Sequence, residues 1–64
     1  MILLSKLDAT VVLVNLESIK YFEATPDTLL HFLNGDTLLV RESLQDVESR
    51  IRKYHKDVFN NPEQ

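Results

Sequence analysis

Residues 24–43, ATPDTLLHFLNGDTLLVRES, decide the fold of this chain. They hold two turn signals, two apolar runs and one helix cap. Thr25-Pro26-Asp27-Thr28 is the first turn. Proline at its second position sets φ at about −65°, and the Asp27 carboxylate can bond the backbone ahead. Pro26 also has no amide hydrogen, so a strand before it must stop. The runs at 28–33 (TLLHFL) and 37–41 (TLLVR) flank Asn34-Gly35-Asp36, and Asn-Gly between apolar runs is a strong hairpin signal. A two-residue loop would set Leu30 opposite Leu39 and leave both faces mixed. A three-residue loop with Gly35 in the left-handed region shifts the register by one. Leu30, Phe32, Leu38 and Val40 then share one face, and Leu29, His31, Thr37 and Leu39 the other. The longer loop is the expected one, because it alone makes one face uniformly apolar.

Downstream, Ser43 is placed as an N-cap, with Asp46 three residues on as a short-armed capping box. Leu44, Val47, Ile51, Tyr54 and Val58 follow at helical spacing, which predicts a helix over 44–58. Glu42, Asp46 and Glu48 near its start, and Arg50, Arg52, Lys53 and Lys56 toward its end, complement the helix dipole. Residues 60–64, NNPEQ, read as a polar, frayed tail. Upstream, ILLSKL at 2–7, VVLV at 11–14 and IKYFEA at 19–24 read as strands. Asp8-Ala9-Thr10 makes a tight turn between the first two strands. Asn15 to Ser18 combines turn formers with a single helical turn.

The fold class is therefore α+β: a small antiparallel meander of about five strands, then one C-terminal helix packed on one face, in a single domain over 1–59. The strands raise a difficulty. They place apolar side chains on both faces, whereas a sheet open to water on one side alternates. One helix covers one face only, so the second must be closed by curling into a barrel or by another chain. With 64 residues available, another chain is the expectation, and the domain is read as a homo-oligomer held by sheet faces or edges. Cysteine is absent, which removes disulfides as a supplement to so small a core.

Composition narrows the function. An apolar fraction of 44% suits a folded domain, and a net charge of −3 lacks the basic field that nucleic-acid binding uses. His31 and His55 have no ligand-like spacing, so neither metal nor cofactor is expected. No nucleophile–base pair or phosphate loop is visible, and the chain does not read as an enzyme. The opening apolar run is too short for a signal peptide and is followed at once by Lys6 and Asp8. No stretch approaches the roughly 20 apolar residues of a membrane span. The expected location is cytoplasmic.

The order of motifs resembles a known family. Leu4-Ser5-Lys6-Leu7-Asp8 near the start is followed by Asn15 and Ile19, then by Glu23-Ala24-Thr25-Pro26-Asp27-Thr28. Asn34-Gly35 and Val40-Arg41-Glu42-Ser43 complete the pattern. Over nearly the whole chain, to about residue 58, this is similar to the FlbD/SwrD family of small bacterial flagellar proteins. The resemblance implies a cytoplasmic accessory protein of swarming motility at the flagellar base. It also implies action on the motor or its stator, with at most peripheral membrane association, and brings no catalytic residues. The chain departs from the family at its first turn, which usually reads Leu-Asn-Gly or Leu-Asp-Gly but is Leu7-Asp8-Ala9 here. Either Asp8 takes the left-handed position or this turn differs.

Several side chains have both a structural and a contact reading. Pro26, Asp27, Asn34, Gly35 and Ser43 are turn and cap residues. Tyr21 and Phe22 are adjacent on a strand and must point to opposite faces, one into the core and one outward as an interface anchor. His31 interrupts an apolar strand and is either a half-exposed strand residue or a pH-sensitive contact group. Arg50, Lys53 and Lys56 are spaced to line one helix face, as a solvated end or as a grip on an acidic partner. Candidate partner-binding residues are thus Tyr21, His31, Arg50, Lys53 and Lys56. The rival function is a small nucleic-acid-binding regulator. Residues 19–51 are similar in pattern to part of the LytTR DNA-binding domain, and strand-rich dimers of the CsrA type bind RNA.

Overall fold

The computed structural model describes residues 1–59, with side chains through residue 56; Val58's side chain and the tail at 60–64 lie outside the described residues. Five strands precede one helix: β1 (Ile2–Ser5), β2 (Val11–Val14), β3 (Ile19–Ala24), β4 (Thr28–Phe32), β5 (Thr37–Val40) and α1 (Leu44–Phe59). A 3-10 turn at Leu16–Ser18 links β2 to β3, and its first amide bond runs from Glu17 N–H to the Asn15 side chain at 3.0 Å.

Both turns of the opening stretch form. The β4–β5 hairpin pairs Leu30 with Leu38 and Leu29 with Leu39, the register of the three-residue loop. Gly35 has φ of 95°, in the left-handed region. The Thr25-Pro26 peptide is cis, and this turn is closed by the Thr25 amide donating to the Asp27 carbonyl at 3.2 Å. Ser43 caps α1: its Oγ accepts from the Asp46 amide at 3.1 Å, and its carbonyl accepts from the Val47 amide at 2.9 Å.

The strands do not form one continuous meander. β1 and β2 make a two-stranded sheet, and β3, β4 and β5 a three-stranded one. The Lys6–Val40 bridge and the Arg41 amide bonded to the Ser5 carbonyl at 2.8 Å join the two. β1 therefore ends at Ser5, two residues short of the expected strand, because Leu7 is already in the turn. The sheets share one core, Ile2, Leu4, Val14, Leu30, Val40 and Val47, with Phe22, Phe32, Leu38 and Ile51 packed around it. α1 leans on β1 and β3, supplying Val47, which is fully buried. The two sheets and α1 thus enclose one core, while the outer faces keep exposed apolar groups such as Leu3, Val11, Leu13 and Leu39.

The turn between β1 and β2 is a copy of the one between β4 and β5. Lys6 donates to the Thr10 carbonyl and Ala9 to the Lys6 carbonyl, both at 2.8 Å. At the other turn Phe32 donates to Asp36 at 2.8 Å and Gly35 to Phe32 at 3.0 Å. Asp8 Oδ1 accepts from the Thr10 amide as Asn34 Oδ1 does from the Asp36 amide, each at 2.9 Å. Leu7-Asp8-Ala9 thus matches Leu33-Asn34-Gly35, and Ala9, with φ of 74°, takes the left-handed position itself. Alanine there is strained by roughly 1 kcal/mol against glycine. Ala9→Gly is expected to stabilise the domain by about 1 kcal/mol, raising the melting temperature by about 4–8 °C. The reciprocal change, Gly35→Ala, is expected to lower it by a similar amount through backbone strain alone, since a methyl group there meets nothing within 4 Å. Thermal melts of the two variants check both signs.

Candidate functional site

Alternation along β3, β4 and β5 turns Leu30, Phe32 and Phe22 to the core and Tyr21, Glu23, Leu29, His31, Thr37 and Leu39 to the outer face. The register sets Tyr21 beside His31 and Glu23 beside Leu29. The Tyr21 and His31 rings stack, with centroids 4.2 Å apart and planes within 16°. His31 Nε2 donates to Glu23 Oε2 at 2.8 Å. The carboxylate can only accept, so this contact places a proton on Nε2. Tyr21 is 47% exposed, and Phe22 is the partner that packs against the core. Three side chains on two strands are thereby ordered before any partner arrives, two of them predicted candidates. Glu23, the third, carried no signal of its own, because its role depends on a strand pairing.

The helix cations divide. Ser49, Arg52, Lys53 and Lys56 line a shallow depression on the outer face of α1. Arg52 also pairs with Glu48 one turn back, at 2.5 Å. Arg50, expected alongside Lys53 and Lys56, points elsewhere. At about 100° per residue it sits roughly 60° from Lys53 and 120° from Lys56, on the flank facing β1. There its Nη1 donates to the Leu3 carbonyl at 2.6 Å and lies 3.6 Å from Glu42 Oε2.

Glu42 likewise does more than complement the helix dipole. Its Oε1 accepts from the Ser5 amide at 2.9 Å, and its side chain is 9% exposed. Burial is the strongest single influence on this carboxyl and opposes its charge. The Ser5 hydrogen bonds, its own amide and the Arg50 charge together outweigh burial and hold its pKa below the ordinary 4.5. Glu42 and Arg50 therefore cover the side of β1 that faces away from β2.

The Asn34-Gly35 loop bonds mainly to itself. Beyond its backbone bonds, Asn34 Nδ2 donates to Asp36 Oδ2 at 3.0 Å, so these donors are not turned to an anion. Pro26, Asp27 and Ser43 occupy turn and cap positions. His55 makes a tilted ring contact with Tyr54 at 5.8 Å.

The residues that sequence reasoning passed over lie on the β1–β2 hairpin. Its inner face carries Ile2, Leu4 and Val14, and its outer face Leu3, Val11 and Leu13, which are 56%, 62% and 60% exposed. The alternation of ILLS and VVLV could have shown that one set faces outward. It could not show that nothing among the described residues covers it.

Among the described residues no group of His, Asp or Glu is arranged to hold a metal ion, and no helix is long and apolar enough to cross a membrane. No curated protein and no solved structure matches the chain. The family model for FlbD, flagellar and swarming motility proteins, matches residues 1–59 of the 64. The match spans all five strands and the whole of α1, and the chain belongs to the FlbD family of flagellar and swarming motility proteins.

Proposed function

We propose that this chain is a non-enzymatic accessory protein that binds the cytoplasmic side of the flagellar motor and supports the stator, and hence torque, by protein contact. The observation that carries the reading is the ordered Tyr21–His31–Glu23 cluster on a rigid sheet face, beside half-buried Leu29 and exposed Leu39. An aromatic held in place by its neighbours gives up little freedom on binding, and such anchors dominate contact energies. The lysines and Arg52 on α1 offer a second, electrostatic contact suited to an acidic partner surface.

The test is made in motile cells. Deleting the chain is expected to reduce swarming. Tyr21→Ala, restored to that strain, is expected to fail to complement it while the purified variant melts near the wild type. Loss of an anchor of about 2 kcal/mol weakens partner binding about 30-fold. Crosslinking and pull-down with the wild-type chain should recover stator proteins, and with Tyr21→Ala should recover far fewer. Normal swarming by the deletion strain, or full complementation by Tyr21→Ala, would overturn the proposal.

A further inference from the structure

We infer that β2 is a dimerisation strand, pairing antiparallel with β2 of a second copy of this chain about a twofold axis at Val12. The hydrogen bonds around β1 fix which way the backbone of β2 faces. The Ser5 amide donates to Glu42, the Ser5 carbonyl accepts from the Arg41 amide, and the Leu3 carbonyl accepts from Arg50. Leu3 and Ser5 thus turn their backbone groups away from β2. The register sets Leu3 opposite Leu13 and Ser5 opposite Val11. In an antiparallel pair, opposed residues turn the same way relative to each other, so Val11 and Leu13 aim their amides and carbonyls away from β1. Among the described residues β1 is the only strand paired with β2.

An exposed strand edge is a template for another strand, and soluble proteins blunt such edges with charge, proline or a bulge. The edge of β3 is blunted in this way: its pairing is broken by a bulge between Ile19 and Tyr21, and Lys20 and Glu23 are exposed on it. β2, VVLV, has no charge, no proline and no irregularity. The contrast within one small domain marks β2 as an edge left open to a partner.

The partner that fits is the same strand. With the axis at Val12, Val11 of each copy exchanges both backbone bonds with Leu13 of the other, and the two outward pairs are apolar against apolar. The composite sheet then runs β1–β2–β2–β1. Its new edges are the two β1 strands, already covered by Arg41, Glu42 and Arg50, so assembly stops at two copies and no fibre follows. The inference does not depend on the proposed motor contact, which uses the other sheet.

Light scattering and sedimentation of the full chain test it. The wild type should approach twice the 7.4 kDa chain mass as concentration rises from micromolar to millimolar. Leu13→Pro removes an amide that β1 does not use, a place where an edge strand tolerates proline, and should leave a folded species of single mass. Val11→Lys and Leu13→Glu chains should each dimerise weakly alone and form a mixed dimer together, because the two new charges face each other across the axis. If Leu13→Pro fails to fold, amide exchange of the wild type decides: protection of Val11 and Leu13 should rise with concentration. A wild type of single mass up to millimolar, a folded Leu13→Pro dimer, or concentration-independent exchange at these two amides would each overturn the inference.

Discussion

Leu30→Ala is expected to lower the unfolding free energy by about 3 kcal/mol, within the range for leucine truncation in a packed core. Leu30 lies in the middle strand of its sheet, fully buried, with Phe22 and Leu38 as its cross-strand neighbours. Small domains hold roughly 0.05–0.15 kcal/mol per residue, so a chain this size has about 3–10 kcal/mol in total. One methyl-for-isobutyl exchange therefore removes a third of the stability or more. In urea, where small domains lose about 1 kcal/mol per molar, the midpoint should fall by roughly 3 M. Leu39→Ala, one register row along on the outer face and 41% exposed, should cost well under 1 kcal/mol. Equal losses at the two positions would show that the hairpin pairs one residue out of step.

The second large effect is at Glu42. Glu42→Ala leaves the part-buried Ser5 amide and the Arg50 guanidinium without their shared partner, and is expected to cost about 2 kcal/mol. The double variant Glu42→Ala, Arg50→Ala should cost less than the two single losses added together, since the residues act on one edge. Strict additivity would mean that they act independently.

The same carboxylate makes stability depend on pH. Its folded pKa lies below the ordinary 4.5, so the unfolded chain takes up this proton first as pH falls. The stabilisation is fully present above about pH 5 and is lost as pH drops through the folded value. Asp8 acts in the same direction, its carboxyl held below 3.8 chiefly by the Thr10 amide. Glu42→Gln should therefore flatten only part of the acid slope in urea titrations carried down from about pH 5, with the remainder left to Asp8 and its like. A slope identical to the wild type would show that Glu42 is not held as a buried, bonded carboxylate.

Much of the candidate surface was legible one strand at a time and then only by alternation. That Tyr21 and Phe22 part to opposite faces follows from adjacency. That Tyr21 meets His31, and His31 meets Glu23, needs the β3–β4 register. A bulge at Lys20 disturbs that register near its start, and nothing in IKYFEA announces it. Arg50 shows the converse: spacing alone grouped it with Lys53 and Lys56, while the position of β1 drew it away.

Element order, both hairpin turns, the loop length at Asn34-Gly35 and the Ser43 cap were determined by the sequence itself. Each rests on neighbours within a few residues, where backbone stereochemistry and side-chain period act without regard to the rest of the chain. The division into two sheets, the cover of β1 by Glu42 and Arg50, and the open edge of β2 were decided only by the tertiary structure. Ser5 and Glu42 lie 37 residues apart, and Leu3 and Arg50 lie 47 apart. Contacts at such separations exist only once the core has brought the strands together, so no local pattern encodes which edge is covered and which stays open.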